Sequence, residues 1–275
     1  MSNSAETKEH YDWLYQATAS KLYQAIRAEA YDDDFGQAGW STGKEVDKLI
    51  GRLRLKSQAR VLDVGCGAGG VALRIAQRYG CQVVGIDSNQ EAITQANDAA
   101  AAAGLAERTL FEVQDARQPL PFADASFDAI VCYDAITHFP DRLAVLRDWA
   151  RLLTLKGKIL YLDPLIISAP LSTEEIQARS GTGFNMFTPI GGNRRLLKQA
   201  GLRHIKTADR SKGLIKVAQG WVDACAKRAD VLIELEGEDT FSQSQAFHQM
   251  AAKLAREKRL LRHLFIAERR QASKN

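Results

Sequence analysis

No apolar run in this chain is long enough to span a bilayer, and residues 1–9 lack the hydrophobic stretch of a secretory signal. These absences lead to the expectation of a cytoplasmic protein without membrane association. Cysteine is scarce: Cys66, Cys81, Cys132 and Cys225 show no paired metal spacing and read as reduced, mostly buried thiols. His10, His138, His204, His248 and His263 form no His-x-x-x-His pair, so no metal site is expected. Charge of one sign is also lacking. The formal net charge of +4 is too weak to argue for nucleic acid, and no RNA-binding module accompanies it. The densest basic stretch, Lys253 to Lys274, which includes Arg259, Arg262 and Arg269, reads as a solvated helix face. No internal repeat is present.

What is there begins with enough apolar content, 45% of 275 residues, to bury a full α/β core. Val61-Leu-Asp63-Val64 suits a strand buried on both faces, and Gly65, Gly67, Gly69 and Gly70 form a tight turn that opens a helix. The turn aims free N–H groups at a ligand. It also satisfies the GxGxxG pattern of dinucleotide enzymes, so a nicotinamide or flavin cofactor stays open at this point. Cys81 to Asp87 forms a second buried strand, ending in an acid 22 positions after Gly65 and suited to a ribose diol. Leu110 to Asp115 is a third, whose terminal carboxylate and the N–H of Ala116 can meet an adenine ring.

Three strand ends that each carry an acid resemble the S-adenosylmethionine site of class I methyltransferases. Asp63 to Gly70 matches the family's first motif, Asp87 its ribose-binding acid, Asp115-Ala116 its adenine contact, and Phe127 to His138 its fourth motif. Leu152 to Leu160 resembles the run after the fourth strand, with Leu155 and Lys158 in place of the usual Pro and second Gly. Charge favours this cofactor over NAD: a sulfonium and an ammonium gain from acids beside the glycine turn, whereas Asp63 would repel a diphosphate. No Tyr-x-x-x-Lys pair of the short-chain dehydrogenases is present. A nicotinamide-dependent oxidoreductase and a catalytically silent S-adenosylmethionine-binding domain are the alternatives.

The resemblance implies a Rossmann-like, seven-stranded, mostly parallel sheet with an antiparallel last strand, a helical N-terminal cap and helical insertions. Residues 1–56 are expected to be the cap or lid and 57–275 the methyltransferase domain. Within it, 164–192 is expected as a substrate-pocket insertion and 213–262 as a helical insertion before a last strand at 263–269. Helical spacing predicts one cap helix within 10–34, a second over 43–53, and insertion helices at 213–236 and 241–262.

The expected cofactor contacts are Asp63, Gly65, Gly67, Gly69, Asp87, Ser88, Asp115, Ala116, Tyr133 and Trp40. Aromatic faces suit a sulfonium, and Tyr11 and Tyr15 are further candidates, assigned to the substrate side. His138, just past the fourth strand, is expected as a general base or as a residue that holds the lid; Asp134 either orients a substrate group or caps the next helix. Phe184 and Phe187 would wall an acceptor pocket. Arg179 either meets an anionic group or pairs with Glu175 one helical turn earlier. The expected reaction is methyl transfer to nitrogen or oxygen, before carbon, of a small molecule, with S-adenosylhomocysteine as product, by a monomer or homodimer.

Overall fold

The structure, a computed structural model, describes residues 4–181 and 184–269. The tip at 182–183 and the basic tail from 270 onward lie outside the described residues. Five strands run parallel: β1 (Arg60–Val64), β2 (Gln82–Asp87), β3 (Thr109–Val113), β4 (Phe127–Cys132) and β5 (Leu153–Ile167). Helices α4 (Gly70–Tyr79), α5 (Gln90–Ala102) and α6 (Arg142–Leu152) carry the chain back between them, as parallel pairing requires. The sheet order is β3-β2-β1-β4-β5-β8-β7, with β8 (Leu260–Arg269) antiparallel to both β5 and β7 (Leu202–Asp209). The expected Rossmann-like sheet with its antiparallel last strand is therefore present. A two-residue strand, β6 (Thr188–Pro189), pairs with the end of β5 and brings the count to eight.

Side chains alternate across the sheet with the strand period of two. Leu62, Val64, Ile130 and Cys132 pack toward Leu146 and Trp149 of α6. Val61, Val83, Ala129 and Val131 pack on the opposite face with Ile75 of α4 and Leu49 of α3 (Gly43–Ile50). Both faces are covered, and because β1, β2 and β3 run parallel, Asp63, Asp87 and Asp115 at or just past their carboxyl ends lie on one rim.

Several boundaries differ from the sequence expectations. The single cap helix is two, α1 (Ser4–Thr18) and α2 (Lys21–Tyr31), because Ser20 leaves the helical path and its hydroxyl accepts the Tyr23 N–H. The stretch 213–236 divides into α9 (Ser211–Ala226) and α10 (Ala229–Glu236), and α11 (Glu238–Arg256) ends before 262, so β8 starts at Leu260. β5 runs on through Pro164 to Ile167 because a register shift between Asp163 and Ile166 takes up the imino acid. Helices α7 (Thr173–Ser180) and α8 (Gly192–Gln199) follow. The cap and the α9–α11 insertion, expected as separate additions, form one helical layer: Ala30, Tyr31 and Trp40 pack with Leu214, Val217 and Ala251. Gly220 permits this approach, since a Cβ there would lie 2.7 Å from Ala30 Cα. Among the described residues, no helix is long and apolar enough to cross a membrane.

Candidate active site

The rim begins with the turn after β1. Gly65 adopts φ 70°, and a Cβ there would lie 2.5 Å from that of Ala135, so the turn can press against the loop after β4 only without a side chain. Its N–H and that of Cys66 both donate to the Ile86 carbonyl, tying the turn to β2. Asp63 is 1% exposed and its Oδ2 has no hydrogen-bond partner among the described residues. Burial, with the neighbouring Asp87 charge, pushes its carboxyl up to about 7. The Tyr133 hydroxyl is likewise buried without a partner, and burial followed by the Asp63 charge raises its pKa. Two orphaned buried polar groups beside a glycine cradle suit a ligand that carries its own donors.

Asp87 ends β2, where one carboxylate oxygen accepts the Gly67 N–H and the other the Asn89 N–H, each at 3.0 Å. Burial raises its pKa and these backbone donors oppose the rise. Ser88 is exposed and Ala116 is buried. Asp115 follows β3 but is clamped by its neighbour: Arg117 Nε donates to both carboxylate oxygens at 2.8 and 3.0 Å, which lowers the pKa of Asp115.

Helix α1 lies over this half of the rim. Asn89 Nδ2 donates to Asp12, and Gln95 Nε2 to the Tyr15 carbonyl. The Tyr15 hydroxyl lies 3.0 Å from where a Gly67 Cβ would stand, and burial, then Asp87, raises the pKa of both Tyr11 and Tyr15. The two tyrosines, expected on the substrate side, thus group with Asp87 and the glycine turn. Trp40, expected on the cofactor side, groups elsewhere.

His138 closes a short 3-10 turn, Ile136–His138, beyond β4. Its Nδ1 lies 3.1 Å from the Phe184 carbonyl. A carbonyl only accepts, so Nδ1 carries the hydrogen and Nε2 keeps its lone pair. Burial lowers the imidazole pKa, which favours this neutral form. The Tyr11 ring stands edge-on at 6.3 Å. The Met186 N–H donates to the Thr137 carbonyl at 2.8 Å and pins the segment after α7 over the turn. Phe184 is 51% exposed and meets the His138 turn through its carbonyl; Phe187 packs beside Leu165 and Leu254. Beneath the turn, buried Arg142 donates to the Ile136 carbonyl, to Thr188 and Asn193, and to Asp163 at 2.6 Å.

Asp134 neither caps α6, a role taken by Asp141, nor presents a free oxygen. Arg262 Nε and Nη2 donate to its two oxygens at 2.7 and 2.9 Å, and the Trp40 N–H donates to Oδ2 at 2.8 Å. Arg262 is fully buried and also reaches Ser41 and Glu45, so it clasps the segment around Ser41 and the start of α3 to β8 and the rim. It was expected on a solvated helix face. Its place in a strand turns it inward instead.

Arg179 is 3% exposed, with its guanidinium 5.4 Å from the Trp40 ring and 4.6 Å from the Phe247 ring. The expected pairing with Glu175 is not made: that carboxylate accepts from Arg259 at 2.7 Å and closes the N-terminal box of α7 with Ser172. Among the described residues, no group of three or more His, Cys, Asp or Glu side chains converges as a metal site.

Comparison with known proteins accords with this geometry. The methyltransferase-domain family matches residues 61–157, from the start of β1 into β5. The chain is 33% identical over 185 residues to 27-O-demethylrifamycin SV methyltransferase of Amycolatopsis mediterranei, spanning 66% of this chain and 68% of that protein. Two solved structures share its fold. Phosphoethanolamine N-methyltransferase 2 of Haemonchus contortus in complex with S-adenosyl-L-methionine is 18% identical, with a TM-score of 0.77 over 94% of this chain and 60% of that one. The [4+2]-cyclase SpnF is 21% identical, with a TM-score of 0.75 over 95% and 96%. The chain belongs to the class I methyltransferases and is an S-adenosylmethionine-dependent methyltransferase. That membership removes the nicotinamide alternative.

Proposed function

We propose that the enzyme methylates a nitrogen or oxygen of a small metabolite in the cytoplasm, with His138 as the base that removes the acceptor's proton. The observation that carries this reading is the pinned imidazole: Nδ1–H is spent on Phe184, leaving Nε2 unprotonated on the same rim as Asp63 and Asp87. S-adenosylmethionine supplies an electrophilic methyl group on a sulfonium. The chain's residues then have three tasks. Asp63 and the glycine turn take the methionine ammonium, and Asp87 takes the ribose hydroxyls while still accepting from Gly67 and Asn89. Adenine falls to Asp115 and Ala116. The clasped lid excludes water and aligns the acceptor, which supplies much of the acceleration in a displacement whose leaving group is already activated. Proton removal at Nε2 suits nitrogen and oxygen acceptors, whose N–H or O–H turns strongly acidic as the heteroatom bonds to the methyl carbon and the sulfonium leaves.

A panel of amine and hydroxyl metabolites, incubated with enzyme and methyl-labelled S-adenosylmethionine, tests the reaction. Label recovered on nitrogen or oxygen is expected; label recovered only on carbon would overturn the assignment. Asp87→Ala is expected to weaken cofactor binding by roughly 1.5–3 kcal/mol, the range for hydrogen bonds to a charged group, with the fold retained. Calorimetry checks it, and unchanged affinity would remove the ribose assignment.

Asp63 gives the binding a pH dependence. Its carboxyl is raised by burial to about 7, so the protein without ligand holds a proton there that an ammonium must displace. Cofactor affinity should rise several-fold from pH 6 to 7.5 with proton release on binding, and Asp63→Asn should abolish the slope. Because the folded pKa exceeds the unfolded one, the ligand-free fold loses stability as pH climbs from the ordinary carboxylate range through about 7. Titration calorimetry in buffers of different ionisation heat reads the proton count directly.

A further inference from the structure

We propose that Arg179 is an oxyanion-binding residue of the acceptor pocket, pairing with a carboxylate or phosphate group carried by the molecule that is methylated. The inference deepens the functional reading above and rests on it only for the identity of the pocket. Its first support is a missing counterion. Arg179 is 3% exposed, and its Nε and Nη1 have no hydrogen-bond partner among the described residues. Burial lowers its pKa only to about 10, so it stays charged at neutral pH. An uncompensated buried cation is costly, and folded proteins retain one where a ligand completes it.

The neighbouring acids are already committed. Glu175, on the same helix, is held by Arg259 and by the Ser172 N–H. Asp134, the carboxylate whose charge reaches Arg179, spends both oxygens on Arg262 and the Trp40 N–H. His248, stacked nearby against Trp221, is pushed down to about 4 by burial and by Arg179, so it is neutral and offers no negative charge. Trp40 and Phe247 cover the guanidinium with their rings, leaving its edge N–H groups for an oxyanion.

The location joins this cation to the chemistry. Trp40, which lies against Arg179, is bonded through its own backbone to Asp134 at the end of β4. Phe184, five residues past Arg179, holds His138 through its carbonyl. One segment therefore contributes both the anion site and the contact that sets the base. A guanidinium fixed at one end of the pocket would orient an acceptor whose reacting nitrogen or oxygen faces His138.

Inorganic phosphate and acetate, each titrated against chloride at equal ionic strength, are the probes. With arginine ¹⁵Nε-labelled protein, one protected Nε–H resonance, absent in Arg179→Met, should shift saturably with at least one of the two anions and not with chloride. Response to acetate alone identifies a carboxylate acceptor and response to phosphate alone a phosphoryl one. Arg179→Met should bind neither anion, keep or raise the melting temperature of the ligand-free protein, and keep S-adenosylmethionine affinity within about twofold. Arg179→Lys should respond with weakened affinity. No response in the wild type, a response that persists in Arg179→Met, or a fall in melting temperature of Arg179→Met with no anion response would overturn the proposal, the last by showing a structural pillar. Cofactor affinity is read in the same samples, so failure of the cofactor reading would appear there and leave the anion response unaffected.

Discussion

His138→Ala lowers the single-turnover rate of methyl transfer by roughly 10²–10⁴-fold, the usual contribution of a positioned general base. Cofactor affinity stays close to wild type, because the contacts proposed for the cofactor are Asp63, Asp87 and the glycine turn. The acid limb of the wild-type pH–rate profile should fall below the ordinary imidazole range, since burial lowers the His138 pKa and keeps the base form populated through neutral pH. An amine acceptor adds its own deprotonation to the profile, so rates must be measured with binding constants. Weakened binding with a mildly reduced saturated rate would assign His138 to holding the lid; wild-type values of both would exclude either role.

Arg142→Met destabilises the fold by about 3–5 kcal/mol, the cost of breaking a buried ion pair by removing one partner. Arg142 and Asp163 are 1% and 0% exposed, and the arginine also ties β6 and α8 to the Ile136 carbonyl under the His138 turn. Its loss leaves Asp163 charged and buried, with the Leu165 N–H and Asn193 Nδ2 as its remaining donors. Denaturant unfolding of Arg142→Met, Asp163→Asn and the double variant checks the pair. The double variant should lose clearly less than the sum of the singles; additive losses would show that the two side chains stabilise the fold independently.

The parts of this architecture legible in the sequence are those written in local pattern. β1, β2 and β4 are buried on both faces, so their apolar runs stand out, and the acids at 63 and 87 mark where each buried run reaches the rim. The antiparallel last strand was legible through resemblance, since nothing in residues 260–269 states which strands they enter between. What escaped depends on partners far along the chain. Arg262 reads as one more cation in a basic stretch, and only its pairing with Asp134, 128 residues away, makes it a clasp between β8 and the rim. The grouping of Tyr11 and Tyr15 with Asp87, and of Trp40 with Arg179, has the same origin. Aromatic residues on cap helices look alike until the cap folds over the rim. Arg179 and Glu175 stand at the spacing of a helical ion pair, yet Arg259, 84 residues on, takes the glutamate.

The arrangement as a whole turns on the tautomer of one imidazole. ¹⁵N NMR of histidine-labelled enzyme, with His138→Ala to assign the resonance, observes it directly. At neutral pH, His138 is expected to be neutral with the proton on Nδ1 and to titrate below the ordinary imidazole value. A proton found on Nε2, or a pKa above that value, would contradict its assignment as the base.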